Sequence, residues 1–261
     1  MFTKQRLKQQ IESMGILPTD TVLIHTSLRA IGQVEDGADG VIDAFCEYLQ
    51  DGLFLVPTHT WSSVGPKAPL YDVKTTVPCI GTLPRVAAFR ADGVRSLHPT
   101  HSVWAHGKDA AAFVAGEQLA QTPCPPGFLW DRLAKRGAKI LLLGVGLDKN
   151  TFIHAIDEVA DLPDRLSLHP YDVTIRDEKG NEITHPFRGH ACSRSNDVSR
   201  QFVNFETALR DCGAMLYGTF GNAQVRIVDA RACRDVILKI YSRATEDLCI
   251  QMQQIPPYLY Q

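Results

Sequence analysis

Few of the short motifs that announce a chemistry occur in this sequence. There is no run of 18 apolar residues, so no membrane span is expected. There is no C-x-x-C pair. The seven cysteines (Cys46, Cys79, Cys124, Cys192, Cys212, Cys233 and Cys249) are an odd number in a long chain, which argues against paired zinc or redox thiols. A reduced, cytoplasmic protein is the expectation. Neither G-x-x-x-x-G-K-[ST] nor G-x-G-x-x-G occurs, which argues against nucleoside triphosphate and dinucleotide sites, and no H-E-x-x-H marks a metalloprotease helix. An excess of one charge is also missing. With 27 basic and 29 acidic residues the net charge is -2, which disfavours a nucleic-acid partner and leaves a small cationic ligand open. The first residues, "MFTKQRLKQQIESMGI", pattern as a charged amphipathic helix without the apolar core of a signal peptide. No Ser/Gly or Pro-rich linker and no repeat divides the chain, so residues 1–261 read as one domain.

What is present is apolar material for a large core, 44% of the sequence, arranged in a recurring pattern. Three short β-branched or leucine-rich segments each deliver polar residues at their carboxyl ends: "TVLIHTSLRAIG" from Thr21, "GLFLVPTHTW" from Gly52 and "AKILLLGVGLDKNTFIH" from Ala138. Between the first two, "GADGVIDAFCEYL" has the apolar spacing of an amphipathic helix. A strand, helix, strand series of this kind indicates an α/β sheet with helices on its faces. Ligands in such sheets gather beyond the carboxyl ends of the strands, so these three ends are the first candidates for a site. Further along, "TLPRVAAFRA" reads as a helix and "YDVTIRDEKGNEITHPF" as a hairpin around Gly180–Asn181. "SRQFVNFETALRDCGA", from Ser199, reads as another amphipathic helix.

The stretch after the third strand carries the most chemistry. Asn150 or Thr151 is a natural N-cap, Ile153, Ile156 and Ala160 form an apolar stripe, and His154, Asp157, Glu158 and Asp161 share the other face. His154 stands three and four residues before Asp157 and Glu158, the spacing of helical neighbours. That suits a general base oriented by an acid, and equally a solvated charged face. His25, Thr26, Ser27 and Arg29 after the first strand suit a phosphate cradle, or a helix cap with a surface arginine. His98 and His101 are three apart, but the proline-containing turn before them is no helix on which two rings would converge on a metal.

In order and spacing, "HTSLRAIGQVEDGADGVIDAF", "LYDVKTTVPCIGTLP", "RSLHPTHSVWAHG" and "ILLLGVGLDKNTFIHAIDE" resemble the signature blocks of the aminoglycoside 3-N-acetyltransferases, or antibiotic acetyltransferases. The resemblance spans residues 5–230. It implies a single-domain, layered α/β sandwich with a mixed central sheet, distinct from the commoner acetyltransferase superfamily. It also implies transfer of acetyl from acetyl-CoA to the 3-amine of the deoxystreptamine ring of an aminoglycoside. The histidine of the block containing Asn150 and Thr151, here His154, would be the general base. His25, Thr26, Ser27, Leu28 and Arg29, with His98, Ser102 and Val103, would line the coenzyme pocket, and no metal would be needed. Asp72 of "LYDV" would bind substrate amine. Where many members carry H-x-x-E, this chain has Asp157 with Glu158 one further. Either could therefore orient His154, and Glu158 could also meet the substrate. Other expectations stay open: a different small amine as acceptor, a coenzyme-binding module without turnover, a histidine-based metal hydrolase, and either a monomer or a homodimer.

Overall fold

The computed structural model of the protein describes residues 1–244 and 254–261, so Cys249 lies outside the described residues. The strands are Thr21–Thr26 (β1), Leu53–Pro57 (β2), Leu70–Asp72 (β3), Val94–Arg95 (β4), Val103–Gly107 (β5), Lys139–Leu143 (β6), Tyr171–Arg176 (β7), Glu182–Phe187 (β8), Met215–Phe220 (β9) and Ala223–Asp229 (β10). Seven form a mixed sheet in the order β4-β5-β2-β1-β6-β10-β9, and β3-β7-β8 form a smaller one. The three segments singled out in the sequence are neighbours at the centre of the large sheet. There β1 runs parallel to both β2 and β6, with Leu23 opposite Leu55 and Ile140.

Parallel strands buried on both faces read as continuous apolar runs, and "TVLI", "LFLV" and "KILLL" do so because each face has its own helical layer. The helices are Lys4–Ser13 (α1), Leu28–Ile31 (α2), Gly37–Tyr48 (α3), Thr82–Ala88 (α4), Ala110–Val114 (α5), Leu129–Arg136 (α6), Phe152–Val159 (α7), Glu206–Asp211 (α8) and Ala230–Arg243 (α9). Val22, Ile24, Phe54, Leu141 and Leu143 face a layer with Leu7 and Ile11 of α1 and Phe45 of α3. Leu23, Leu55, Ile140 and Leu142 face the opposite layer, with Trp130 of α6, Ile153 and Ile156 of α7 and Ile237 of α9. The two-residue period of a strand sorts each run between the layers. Among the described residues, no helix is long and apolar enough to cross a membrane.

Arg95, buried in β4, is not singled out by the sequence. Its guanidinium donates to the carbonyls of Thr58, Val73 and Thr76 and lies over the Tyr71 ring. It thereby ties the small sheet to the large one. The segment from Ser199 departs from the expected continuous helix: Val198–Phe205 winds as a 3-10 helix before α8 begins. In the tighter winding, Phe202 and Phe205, three apart, both reach the core.

Candidate active site

Beyond the carboxyl ends of β1, β2 and β6 opens a cleft of about 1400 Å³. β1 contributes His25 and Thr26, β2 leads to His59, and the turn after β6 contributes Asn150, Thr151 and then His154 from α7. His190 and residues 195–201 close the other side.

The entry to α7 is not capped as the sequence suggests. A 3-10 turn, Leu147–Lys149, leads in, and the N–H groups of Ile153 and His154 donate to the carbonyls of Asn150 and Thr151. Thr151, the N-cap, makes no side-chain cap bond. The Asn150 side chain is therefore released from capping. It is 1% exposed, lines the cleft, and neither its amide nitrogen nor its oxygen has a partner. A buried unsatisfied polar group destabilises by roughly 1–3 kcal/mol, so its retention points to a ligand.

The polar face of α7 is largely buried, with Asp161 beyond its end exposed. His154 is half-buried against Phe202 at 4.8 Å and stacks on His190 with ring centroids 4.1 Å apart. Among the described residues, no side chain hydrogen-bonds its ring. Burial, then the neighbouring His190, holds its pKa well below 6.5, while Asp197 pulls the other way. The ring is neutral at pH 7 and able to accept a proton.

Neither acidic neighbour on α7 bonds to His154. Asp157, 1% exposed, meets Arg165 at 3.4 Å and accepts from the Tyr241 hydroxyl at 2.6 Å. It points into the core because a side chain three residues along α7 is rotated toward α9. Glu158 accepts from the Thr122 hydroxyl, the Cys124 N–H and His190 Nε2. Burial raises its pKa. It approaches His154 only through His190, a residue the sequence reading missed. In the sequence nothing but its residue type marks it.

The remaining candidates divide between cleft and core. His25 and Thr26 line the cleft, with His25 Nε2 buried and unpartnered. Ser27 caps α2 by accepting from the Ala30 N–H, Leu28 packs on the α1/α3 layer, and Arg29 is exposed. His98, Ser102 and Val103 do not line the cleft. His98 Nδ1 accepts from the Thr100 and His101 N–H groups and Nε2 faces the Thr122 carbonyl, which fixes the Nε2–H tautomer. Ser102 donates to the Thr58 carbonyl and Val103 is fully buried. The His98 and His101 rings pack 5.9 Å apart and His101 and His59 4.6 Å apart between centroids, but backbone groups engage both His98 nitrogens, so this is ring packing rather than a shared ligand point. Asp72 lies outside the cleft, held by Arg176 at 3.2 Å. The acids that do line it are Asp148 and Asp197. Cys192, outside the three strand-end turns, also lines it, its thiol bonded to Asp164.

Two groups of described residues have metal-ligand chemistry. Cys124, Glu158 and His190 bring sulfur, oxygen and nitrogen within 4.8 Å, as do Cys46, Asp92 and His106 at the surface. In the first, Glu158 is already satisfied by three donors. In the second, Arg90 neutralises Asp92 through both oxygens.

Known proteins share this sequence pattern and fold. Aminoglycoside N(3)-acetyltransferase III of Serratia marcescens is 29% identical over 182 residues, 63% of this chain and 67% of that one. Aminoglycoside N(3)-acetyltransferase VIII of Streptomyces fradiae is 28% identical over 262 residues, 90% and 89% of the two chains. The crystal structure of aminoglycoside acetyltransferase AAC(3)-Xa superposes with a TM-score of 0.76 at 25% identity, covering 89% of this chain and 90% of that one. AAC-IIIb, in a binary complex with CoASH, shares the fold with a TM-score of 0.79 at 21% identity, over 94% and 98%. Residues 23–242 match the family described as Aminoglycoside 3-N-acetyltransferase, and this chain belongs to that family.

Proposed function

We propose that the cleft binds acetyl-CoA and an aminoglycoside, and that His154 is the general base for acetyl transfer to the 3-amino group of the deoxystreptamine ring. The enzyme class follows from family membership: the chain is an aminoglycoside N(3)-acetyltransferase with acetyl-CoA as co-substrate. The observation that carries the residue assignment is a neutral imidazole facing the cleft beyond three parallel strands, with its nitrogens unoccupied by any described side chain. Residues 1–261 act as one domain in this reading, since the cleft draws on positions from Ile24 to Gln201 around one sheet.

The substrate enters as an ammonium and releases one proton to solvent on becoming nucleophilic. Its nitrogen then attacks the thioester carbonyl carbon. His154 takes a second N–H proton from the cationic tetrahedral adduct, a strong acid, so a weakly basic imidazole suffices. The C–S bond breaks, and the imidazolium returns its proton to the departing thiolate. Asn150, with a free buried donor, stabilises the oxyanion. No covalent acyl-enzyme is required. Burial keeps the Cys124 thiol protonated.

Release of free thiol from acetyl-CoA, measured with a panel of aminoglycosides, tests the reading. His154→Ala is expected to lower kcat by about 10² to 10⁴ while thermal stabilisation by CoA persists. Near wild-type kcat in that variant removes His154 from the chemistry. A second acceptor class is favoured by one observation: beside Asp148 and Asp197 the cleft is lined by Lys149, Arg165 and Arg200, so the panel includes less cationic small amines.

A further inference from the structure

A general base needs a fixed ring plane, and here no hydrogen bond from a described residue supplies it. Contact does. The His190 ring lies on one face of His154, 4.1 Å between centroids and 29° from parallel, and Phe202 meets His154 edge to face. His190 is itself held in place. Its Nε2 is 3.2 Å from Glu158, and its ring meets His101 at 5.1 Å. Its backbone is stapled to the segment following α7: the Ala191 N–H donates to the Arg165 carbonyl at 3.0 Å, the Ser193 N–H to Asp164 at 2.8 Å, and Arg188 Nε to the Ser167 carbonyl at 2.6 Å.

We infer that His190 is the positioning residue of the general base: anchored to Glu158, it holds the plane of the His154 ring by stacking. This inference rests on His154 being the base. It relocates the role that H-x-x-E spacing assigned to a carboxylate bonded directly to His154. Glu158 keeps a part in it, one residue removed. The stacking contact leaves both His154 nitrogens free, so one can receive the substrate proton with no donor from a described side chain competing for its lone pair. The charged or titratable groups facing the pair are Glu158 from α7, His59 from the segment after β2, His98 and His101 from the turn before β5, Arg165 from the segment after α7 and Asp197 from the loop before the 3-10 helix.

Three substitutions separate stacking from hydrogen bonding. His190→Ala removes both contacts, His190→Gln keeps a donor for Glu158 without the ring, and His190→Phe keeps the ring without the donor. Because misplacement of a catalytic group by about 1 Å can reduce rate about 10²-fold, kcat is expected to fall by about that factor in the Ala and Gln variants. In His190→Phe it is expected to stay within about fivefold, with KM for acetyl-CoA within about twofold in all three. The acid limb of the kcat profile is expected to move to higher pH in the Ala and Gln variants, since the ring that shields one face of His154 from water is gone, and to stay in place in His190→Phe. A purely structural role would lower stability without moving that limb. CoA-induced thermal stabilisation, measured alongside, identifies folded variants. Wild-type kcat and an unmoved limb in His190→Ala, with His154→Ala inactive, overturn the inference alone. Equal inactivity of the Ala and Phe variants with His154→Ala still active makes His190 the base and overturns the proposed function's residue assignment as well.

Discussion

At the scale of single residues, two side chains beside His154 should respond oppositely to removal. Asn150→Ala deletes a buried amide with no partner, so the ligand-free protein is expected to melt at the same or a higher temperature. Its kcat should nevertheless drop by about 10² to 10³, the effect of losing one oxyanion donor. Thermal melting and steady-state kinetics on the same preparation check both halves. Asp157→Asn breaks a buried pair with Arg165, both under 5% exposed, and weakens the bond from Tyr241. Removing one charge of a buried ion pair destabilises by roughly 3–5 kcal/mol, so urea unfolding should show a large fall in midpoint. The residual kcat per folded molecule should stay near wild type, because Asp157 does not touch His154.

At the scale of elements, the unit that builds the site is β6, its glycine turn and α7. Gly144 has φ +70, and a Cβ there would come within 2.3 Å of the Ala30 Cβ in α2. The turn can leave the sheet only because this position has no side chain and tolerates the left-handed region. Gly144→Ala is expected to cost about 1 kcal/mol or more in stability and to lower kcat, since displacement of the turn moves Asn150 and His154 together. Equilibrium unfolding and thiol release measure the two effects. Unchanged kcat in that variant would show that the turn and the catalytic residues are not mechanically linked.

At the scale of the whole molecule, the histidines concentrated around the cleft set the response to acid. Burial lowers the pKa of His98 to about 4 and of His25 and His190 to about 3, and holds His59, His101 and His154 well below 6.5. In the unfolded chain each titrates near 6.5. Between pH 6.5 and the folded values, the unfolded state binds more protons, so stability is fully present above 6.5 and is lost as pH falls through that window. Glu117, raised to about 7, and Glu158, also raised, act in the opposite sense: what they contribute is present below 4.5 and lost as pH rises through their folded values. Six groups against two give a net loss on acidification, at about 1.4 kcal/mol per pH unit for each net proton. Urea midpoints at pH 7.5 and 5.5 should differ accordingly, and an unchanged midpoint would mean that the histidines are not buried neutral.

The strands, their apolar runs and the polar residues at their ends are legible in the order of residues, because two-residue and 3.6-residue periodicities are local consequences of backbone geometry. That order also carried the family resemblance and the choice of His154, since the glycine turn, Asn150 and the histidine are close in the chain. Which partners those residues have depends on packing between segments remote in the chain. Asp157 turned from His154 to Arg165 and Tyr241, 8 and 84 residues away, and Glu158 to Thr122, Cys124 and His190, 36, 34 and 32 residues away. Asp72 stayed on the small sheet with Arg176, 104 residues distant, while Asp148 and Asp197 took the cleft. A helix places its own neighbours by spacing, but a buried charge goes where the desolvation of its ionised form is best compensated, and that place is set by packing of remote segments.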